Sequence, residues 1–218
     1  MKAWQSVLAA ILCVALGLWL ILIFLGYVLN IPSKQPRAVP QEQQAPIARA
    51  IPAEEPPQSR GLPSAPITIT AYMDFSCSHC KTMYGNIERL VTAYPQNIRV
   101  IWKDLFSDAP PARAAQTAAR CAGEQEKFWE YAPLLFETSP DFSDNRLRAL
   151  AQRVGLNLPV WSTCRERPDH GNFFTRMEDH AKQLGITATP TIFINDYRLQ
   201  GLVDYSTLQQ RIEQLLLP

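Results

Sequence analysis

The sequence predicts an α/β domain in which a β-α-β unit and a β-β-α unit flank an all-helical insertion, carried behind an N-terminal transmembrane helix and a Pro-rich stalk. Three observations carry this expectation. Val7 to Leu29 is an unbroken run of 23 uncharged, mostly apolar residues. Nine of the eighteen prolines crowd between Pro32 and Pro66. From residue 65 onward, apolar patterning passes from strand period to helix period and back again.

The first run suits a membrane. As a helix rising about 1.5 Å per residue it spans roughly 34 Å, slightly more than a bilayer's hydrocarbon core. Trp4 and Tyr27 stand near its ends, where amphipathic aromatics favour the interface. A cleaved signal peptide would show a shorter apolar stretch of about 7–15 residues and a small-residue cleavage site close behind. Here Asn30-Ile31-Pro32-Ser33-Lys34 follows, and the nearest small pair, Ala48 and Ala50, lies too far downstream. Cys13 is mid-span behind a bulky Leu12, which does not suit a lipid-modified cysteine. Residues 1–30 therefore read as an uncleaved anchor. Lys2 on one flank against Lys34 and Arg37 on the other does not fix its orientation. Residues 31–64 mix Pro, Gln, Ala and Glu without periodic apolar positions, so they read as a semi-extended linker.

The domain of residues 65–218 opens with Ile67-Thr68-Ile69-Thr70-Ala71-Tyr72-Met73, whose β-branched residues predict a strand. Met83, Ile87, Leu90, Val91 and Tyr94 recur at helical spacing, and Pro95-Gln96-Asn97 ends that helix. Ile98 to Trp102 predicts a second strand, parallel to the first. From about 110 to 185 the pattern is helical throughout, giving about four helices. Ala112–Ala122 stops at Gly123, and Glu124–Thr138 is aromatic on one side. Leu147, Leu150, Ala151 and Val154 form a stripe closed by Gly155; Phe173, Met177, Ala181 and Leu184 form another closed by Gly185. Thr191–Ile194 and Tyr197–Gly201 then read as a hairpin turning at Asn195-Asp196. A last helix begins near Asp204 and carries Leu208, Ile212 and Leu215 on one face.

Composition excludes several function classes. Lys and Arg total 21 against 20 Asp and Glu, a net charge of +1, without the basic excess of a nucleic-acid binder. Five cysteines are too few for a disulfide-built miniprotein. A zinc site would want a second ligand pair, yet the chain holds no other C-x-x-C, and His170 and His180 stand ten apart.

The chemistry concentrates at Cys77-Ser78-His79-Cys80, which follows the first strand and opens the first helix. A helix N-terminus presents unpaired amide hydrogens and the positive end of the dipole, so it favours a thiolate. Cys77 is placed to be the nucleophile, and Cys80, one turn later, to close a disulfide with it. His79 can add charge or a hydrogen bond beside Cys77. Stabilising the thiolate stabilises the reduced form, which makes the disulfide a stronger oxidant.

Asp74-Phe75-Ser76-Cys77-Ser78-His79-Cys80, the stretch from Cys121 to Phe136, and Gly185–Asn195 together resemble the DsbA family of disulfide oxidoreductases, over residues 62–216. The resemblance implies a thioredoxin-like fold with a helical insertion. It makes Cys77 the attacking cysteine, Cys80 the resolving one, and Thr189-Pro190 a cis-proline pair beside them, with Thr189 and Ser78 meeting substrate. Two departures stand out. Ser78 replaces the family's common proline, and Ala71 occupies the position where many members carry a buried acid. Asp74 is nearer to Cys77 but is not that residue's equivalent. Cys121 and Cys164 read either as buried free thiols or as a bridge closing a 44-residue loop in an exported domain. Family members with such a pair favour the bridge. Phe128, Trp129, Phe136 and Phe142 read as core or as a substrate groove.

The function expected is a membrane-anchored, exported thiol–disulfide oxidoreductase that oxidises protein thiols, with no cofactor and no metal. The resemblance implies re-oxidation by a quinone-linked membrane partner, and a location in the bacterial inner membrane with the catalytic domain on the periplasmic side. A monomer is expected, since no dimerisation domain precedes the catalytic one. Competing readings are a reductase or isomerase of the same fold, and a chaperone-like binding module whose thiols matter little.

Overall fold

The computed structural model describes residues 58–105 and 110–217, together with Leu16, Gly17, Trp19, Leu20, Ile21 and Phe24. The chain divides into two units, Met1–Gln41 and Glu42–Pro218. In the first, the six described residues are helical, and Leu16, Trp19, Leu20, Ile21 and Phe24 are exposed. The remainder of the expected anchor, and the linker up to residue 57, lie outside the described residues. Among the described residues no helix is long and apolar enough to cross a membrane.

The second unit is built on a five-stranded sheet in the order β1-β3-β2-β4-β5. Its strands are β1 (Ser59–Arg60), β2 (Ile67–Met73), β3 (Ile98–Asp104), β4 (Thr191–Ile194) and β5 (Tyr197–Gln200). Helix α1 (Ser78–Ala93) joins β2 to β3, which pair in parallel from Ile67↔Ile98 to Met73↔Asp104. The other pairings are antiparallel. Between β3 and β4 run α2 (Pro110–Gly123), α3 (Phe128–Thr138), α4 (Asp144–Arg153), α5 (Leu158–Arg165) and α6 (Asp169–Gln183); α7 (Tyr205–Leu216) ends the domain.

Alternation along β2 divides the core. Ile67, Ile69, Ala71 and Met73 join the main cluster with Met83, Ile87 and Leu90 of α1, Leu208 and Ile212 of α7, and the buried faces of α2 to α5. Tyr72 faces the opposite way, against Phe193, Ala181 and Ile186. The stripes closed by Gly155 and Gly185 end as expected, with both glycines at positive φ, 75° and 64°.

Three features differ from the sequence reading. The insertion has five helices, not four: α5 is capped by Asn157, whose side chain accepts from the Val160 amide, with Pro159 in its first turn. Strand β1 and the Gln58 carbonyl, which accepts from the Trp102 amide at 2.8 Å, belong to the sheet although they fall in the stretch read as linker. Two residues paired on a sheet edge leave no periodic signature, which is why composition alone hides them. Finally, β3 continues past Trp102 to bury Lys103 and Asp104.

Candidate active site

The turn from β2 into α1 is built by Asp74. Its Oδ1 accepts from the Ser76 amide at 2.7 Å and the Ser76 hydroxyl at 2.8 Å, and its carbonyl accepts from the Cys77 amide at 3.2 Å. This Asx-type turn delivers Cys77 to the N-cap of α1 with extended φ and ψ of −87° and 118°. The Cys77 sulfur then accepts from the Cys80 amide at 3.3 Å. It occupies the place that a serine or aspartate oxygen takes at an ordinary N-cap, satisfying one of the helix's orphan donors. A thiolate there gains both that hydrogen bond and the helix dipole.

The two cysteines of the candidate site differ in surroundings. Cys77 is half-buried, whereas Cys80 is fully buried against the main core. Burial pushes the Cys80 thiol far above the usual range; the Asp74 backbone and the Thr189 side chain oppose this, while Cys77 adds to it. Cys80 is therefore a buried, protonated thiol, and Cys77 is the more accessible of the two sulfurs. Both carry free thiols here, one helical turn apart.

Across from them lies the segment before β4. The Thr189–Pro190 peptide is cis, and the Thr189 carbonyl stands 3.7 Å from the Cys77 sulfur, which can donate to it as a thiol. Pro190 is buried and Thr189 half-buried. Thus the structure brings Cys77, Cys80, Thr189 and Pro190 together. Ser78 and His79 sit in the first turn of α1 with exposed side chains.

Cys121 on α2 and Cys164 on α5 are disulfide-bonded, with Cα atoms 5.8 Å apart. His170 lies beside this bridge, its Nε2 3.8 Å from the Cys121 sulfur. These three are the described side chains that come together as a metal-type donor set, but the disulfide uses both sulfurs. Phe128, Phe136 and Phe142 are core residues: Phe136 packs 5.1 Å from Phe75, and Phe75 stacks on Trp102 at 4.8 Å. Trp129 alone of the four is partly exposed, with the Arg60 guanidinium 4.6 Å over its ring.

Sequence reasoning missed Asp104. The register places it beside Met73, on the sheet face that also carries Ala71, and the Trp102 indole N–H donates to its Oδ1 at 2.8 Å. Burial pushes its carboxyl up to about 6, against the pull of Arg120, the Trp102 hydrogen bond and Lys103; Asp74 pushes it further up. The signal that could have found it was Lys103-Asp104 directly after an apolar strand.

Comparison with known proteins agrees with this geometry. Residues 54–214 match the family model described as thioredoxin. Similar solved structures include a thioredoxin-like oxidoreductase from Silicibacter pomeroyi (TM-score 0.66, 23% identity, covering 72% of this chain and 91% of that one). Oxidised BdbD from Bacillus subtilis gives 0.66 at 21% identity, covering 73% and 92%. The thiol-disulfide exchange protein alpha-DsbA2 from Wolbachia pipientis gives 0.64 at 19% identity, covering 73% and 87%. Curated relatives include a Na(+)/H(+) antiporter NhaA 1 of Salinispora arenicola, 29% identical over 187 residues, which are 83% of this chain and 28% of that protein. Another NhaA 1, of Mycolicibacterium gilvum, is 27% identical over 159 residues, 71% of this chain and 26% of that protein. The chain thus spans about a quarter of the length of these relatives. It belongs to the thioredoxin family and has the fold of the DsbA-like thiol–disulfide oxidoreductases.

Proposed function

We propose that the protein is a thiol–disulfide oxidoreductase that oxidises protein thiols outside the cytoplasm while anchored to the inner membrane by residues 1–30. The observation that carries the reading is the asymmetry of its two cysteines: the Cys77 sulfur caps a helix, and Cys80 is buried behind it. A substrate thiolate attacks the Cys77 sulfur of a Cys77–Cys80 disulfide, and Cys80 leaves and takes up a proton. A second substrate thiol then attacks the substrate sulfur of the mixed disulfide, forming the substrate's disulfide and releasing Cys77 as a thiolate. Two electrons pass from the substrate to the pair. The Cys80 amide holds the departing Cys77 thiolate, and this favours the reduced form and the oxidising direction. The Thr189 carbonyl beside Cys77 suits an extended substrate that pairs with backbone.

Return of the pair to its disulfide requires a two-electron acceptor, for which a quinone-linked membrane protein is the expected partner. Equilibrating Cys77–Cys80 with glutathione tests the direction. A potential well above the thioredoxin value of about −270 mV supports an oxidant, and a potential near that value overturns it. For location, a reporter active only outside the cytoplasm, fused after Pro218, should be active; a silent reporter would overturn the export.

A further inference from the structure

The bridge in the insertion is not surrounded like an inert brace. The Arg167 Nη2 donates to the Cys164 sulfur at 3.3 Å, and Glu124 and Asp169 pair with the same guanidinium and hold it there. From the other side, His170 Nε2 lies 2.8 Å from the Cys164 carbonyl, which can only accept, so this nitrogen carries a hydrogen. The same Nε2 is 3.8 Å from the Cys121 sulfur and 4.0 Å from the Cys164 sulfur. A disulfide gains little from the Arg167 donor, whereas a thiolate gains much. His170 Nε2 gives its single hydrogen to the carbonyl here, and it lies within 4.0 Å of both sulfurs, close enough to turn to a thiolate. Groups that stabilise the reduced form raise the ease of reduction.

We propose that Cys121–Cys164 is a second redox-active disulfide, which dithiols open and re-form, with Arg167 and His170 stabilising its reduced state. Cys164 retains slight exposure and Cys121 none, so the incoming thiolate of a dithiol attacks the Cys164 sulfur. The Cys121–Cys164 bond breaks and Cys121 leaves beside His170, taking one of the dithiol's protons. The dithiol's second sulfur then displaces Cys164, which departs as a thiolate against Arg167, and the other proton goes to solvent. The dithiol ends as a cyclic disulfide, and two electrons have entered the pair. Opening it unfastens α5 from α2, and α2 packs on the helix that carries Phe136.

The test uses the full chain with Cys77→Ser and Cys80→Ser, so that it is independent of the exchange proposed at the first pair. The protein is equilibrated in native buffer with dithiothreitol at graded reduced-to-oxidised ratios. The reduced fraction is read by maleimide labelling of the peptides holding Cys121 and Cys164. A reversible midpoint without denaturant is expected. Arg167→Gln, at a half-exposed position, should shift that midpoint at least tenfold toward stronger reducing ratios, which corresponds to about 30 mV. Arg167→Lys should restore part of the shift, and His170→Asn should move the midpoint in the same direction as Arg167→Gln. A pair that opens only in denaturant, or a midpoint unmoved by Arg167→Gln, would overturn the proposal.

Discussion

Asp104 offers a perturbation whose size follows from its surroundings. Its carboxyl is buried and held up at about 6 against an ordinary 3.8, so between those values the folded chain keeps a proton that the unfolded chain has shed. A group of this kind contributes least to stability when charged. Its contribution to stability therefore falls as pH rises from about 4 to about 7. At about 1.4 kcal/mol per pH unit, the penalty for holding Asp104 ionised at pH 7 is ~3 kcal/mol. Asp104→Asn keeps an oxygen for the Trp102 indole and removes the charge, so it imitates the protonated acid. Urea unfolding of both proteins at pH 4, 5.5 and 7 reads the effect. The variant should match the parent at pH 4 and exceed it by about 3 kcal/mol at pH 7. A variant that is equally or less stable at pH 7 would mean that Arg120 and Lys103 outweigh burial, and would refute the reasoning.

Two further substitutions test the framework that holds the site. Gly61 stands at φ +93°, where an added Cβ would meet the Ile98 carbonyl oxygen at 2.4 Å, so Gly61→Ala should cost about 2 kcal/mol in urea unfolding. An unchanged midpoint would mean that β1 does not lie on β3. Replacing both Cys121 and Cys164 by Ala removes a cross-link over a sequence separation of 43, and the chain-entropy relation puts the loss at about 4 kcal/mol. A loss below about 1 kcal/mol would show that the helices hold their places without the bond.

Much of this architecture was written in local patterns. The β2 strand, the glycines closing α4 and α6, and the Asn195-Asp196 hairpin all follow from period and turn chemistry, and Asn195 takes positive φ at 51°. Cys77 and Cys80 were legible because a strand, a C-x-x-C and a helix start coincide. What escaped the reading depends on partners distant in sequence. Strand β1 exists only because β3 offers it an edge, and Asp104 acquires its character from Trp102, Arg120 and Asp74 across the fold. His170 next to the Cys121–Cys164 bridge is similar: its ten-residue distance from His180 argued against a ligand pair, and its real neighbours lie on α2 and α5. Helix α5 is the exception, since Asn157 and Pro159 advertised it locally.

Trapping of mixed disulfides tests the central claim, that partners bond to Cys77 while Cys80 is the sulfur they displace from it in one direction and that expels them in the other. Full-length Cys80→Ala and Cys77→Ala proteins are incubated with a peptide disulfide, quenched with acid, and mapped by mass spectrometry. Cys80→Ala should accumulate peptide adducts on Cys77, because the sulfur that would expel the peptide is gone. Cys77→Ala should carry none on Cys80, whose thiol is buried and held protonated. Equal adducts on both residues, or none on Cys77, would contradict the division of labour read from this site.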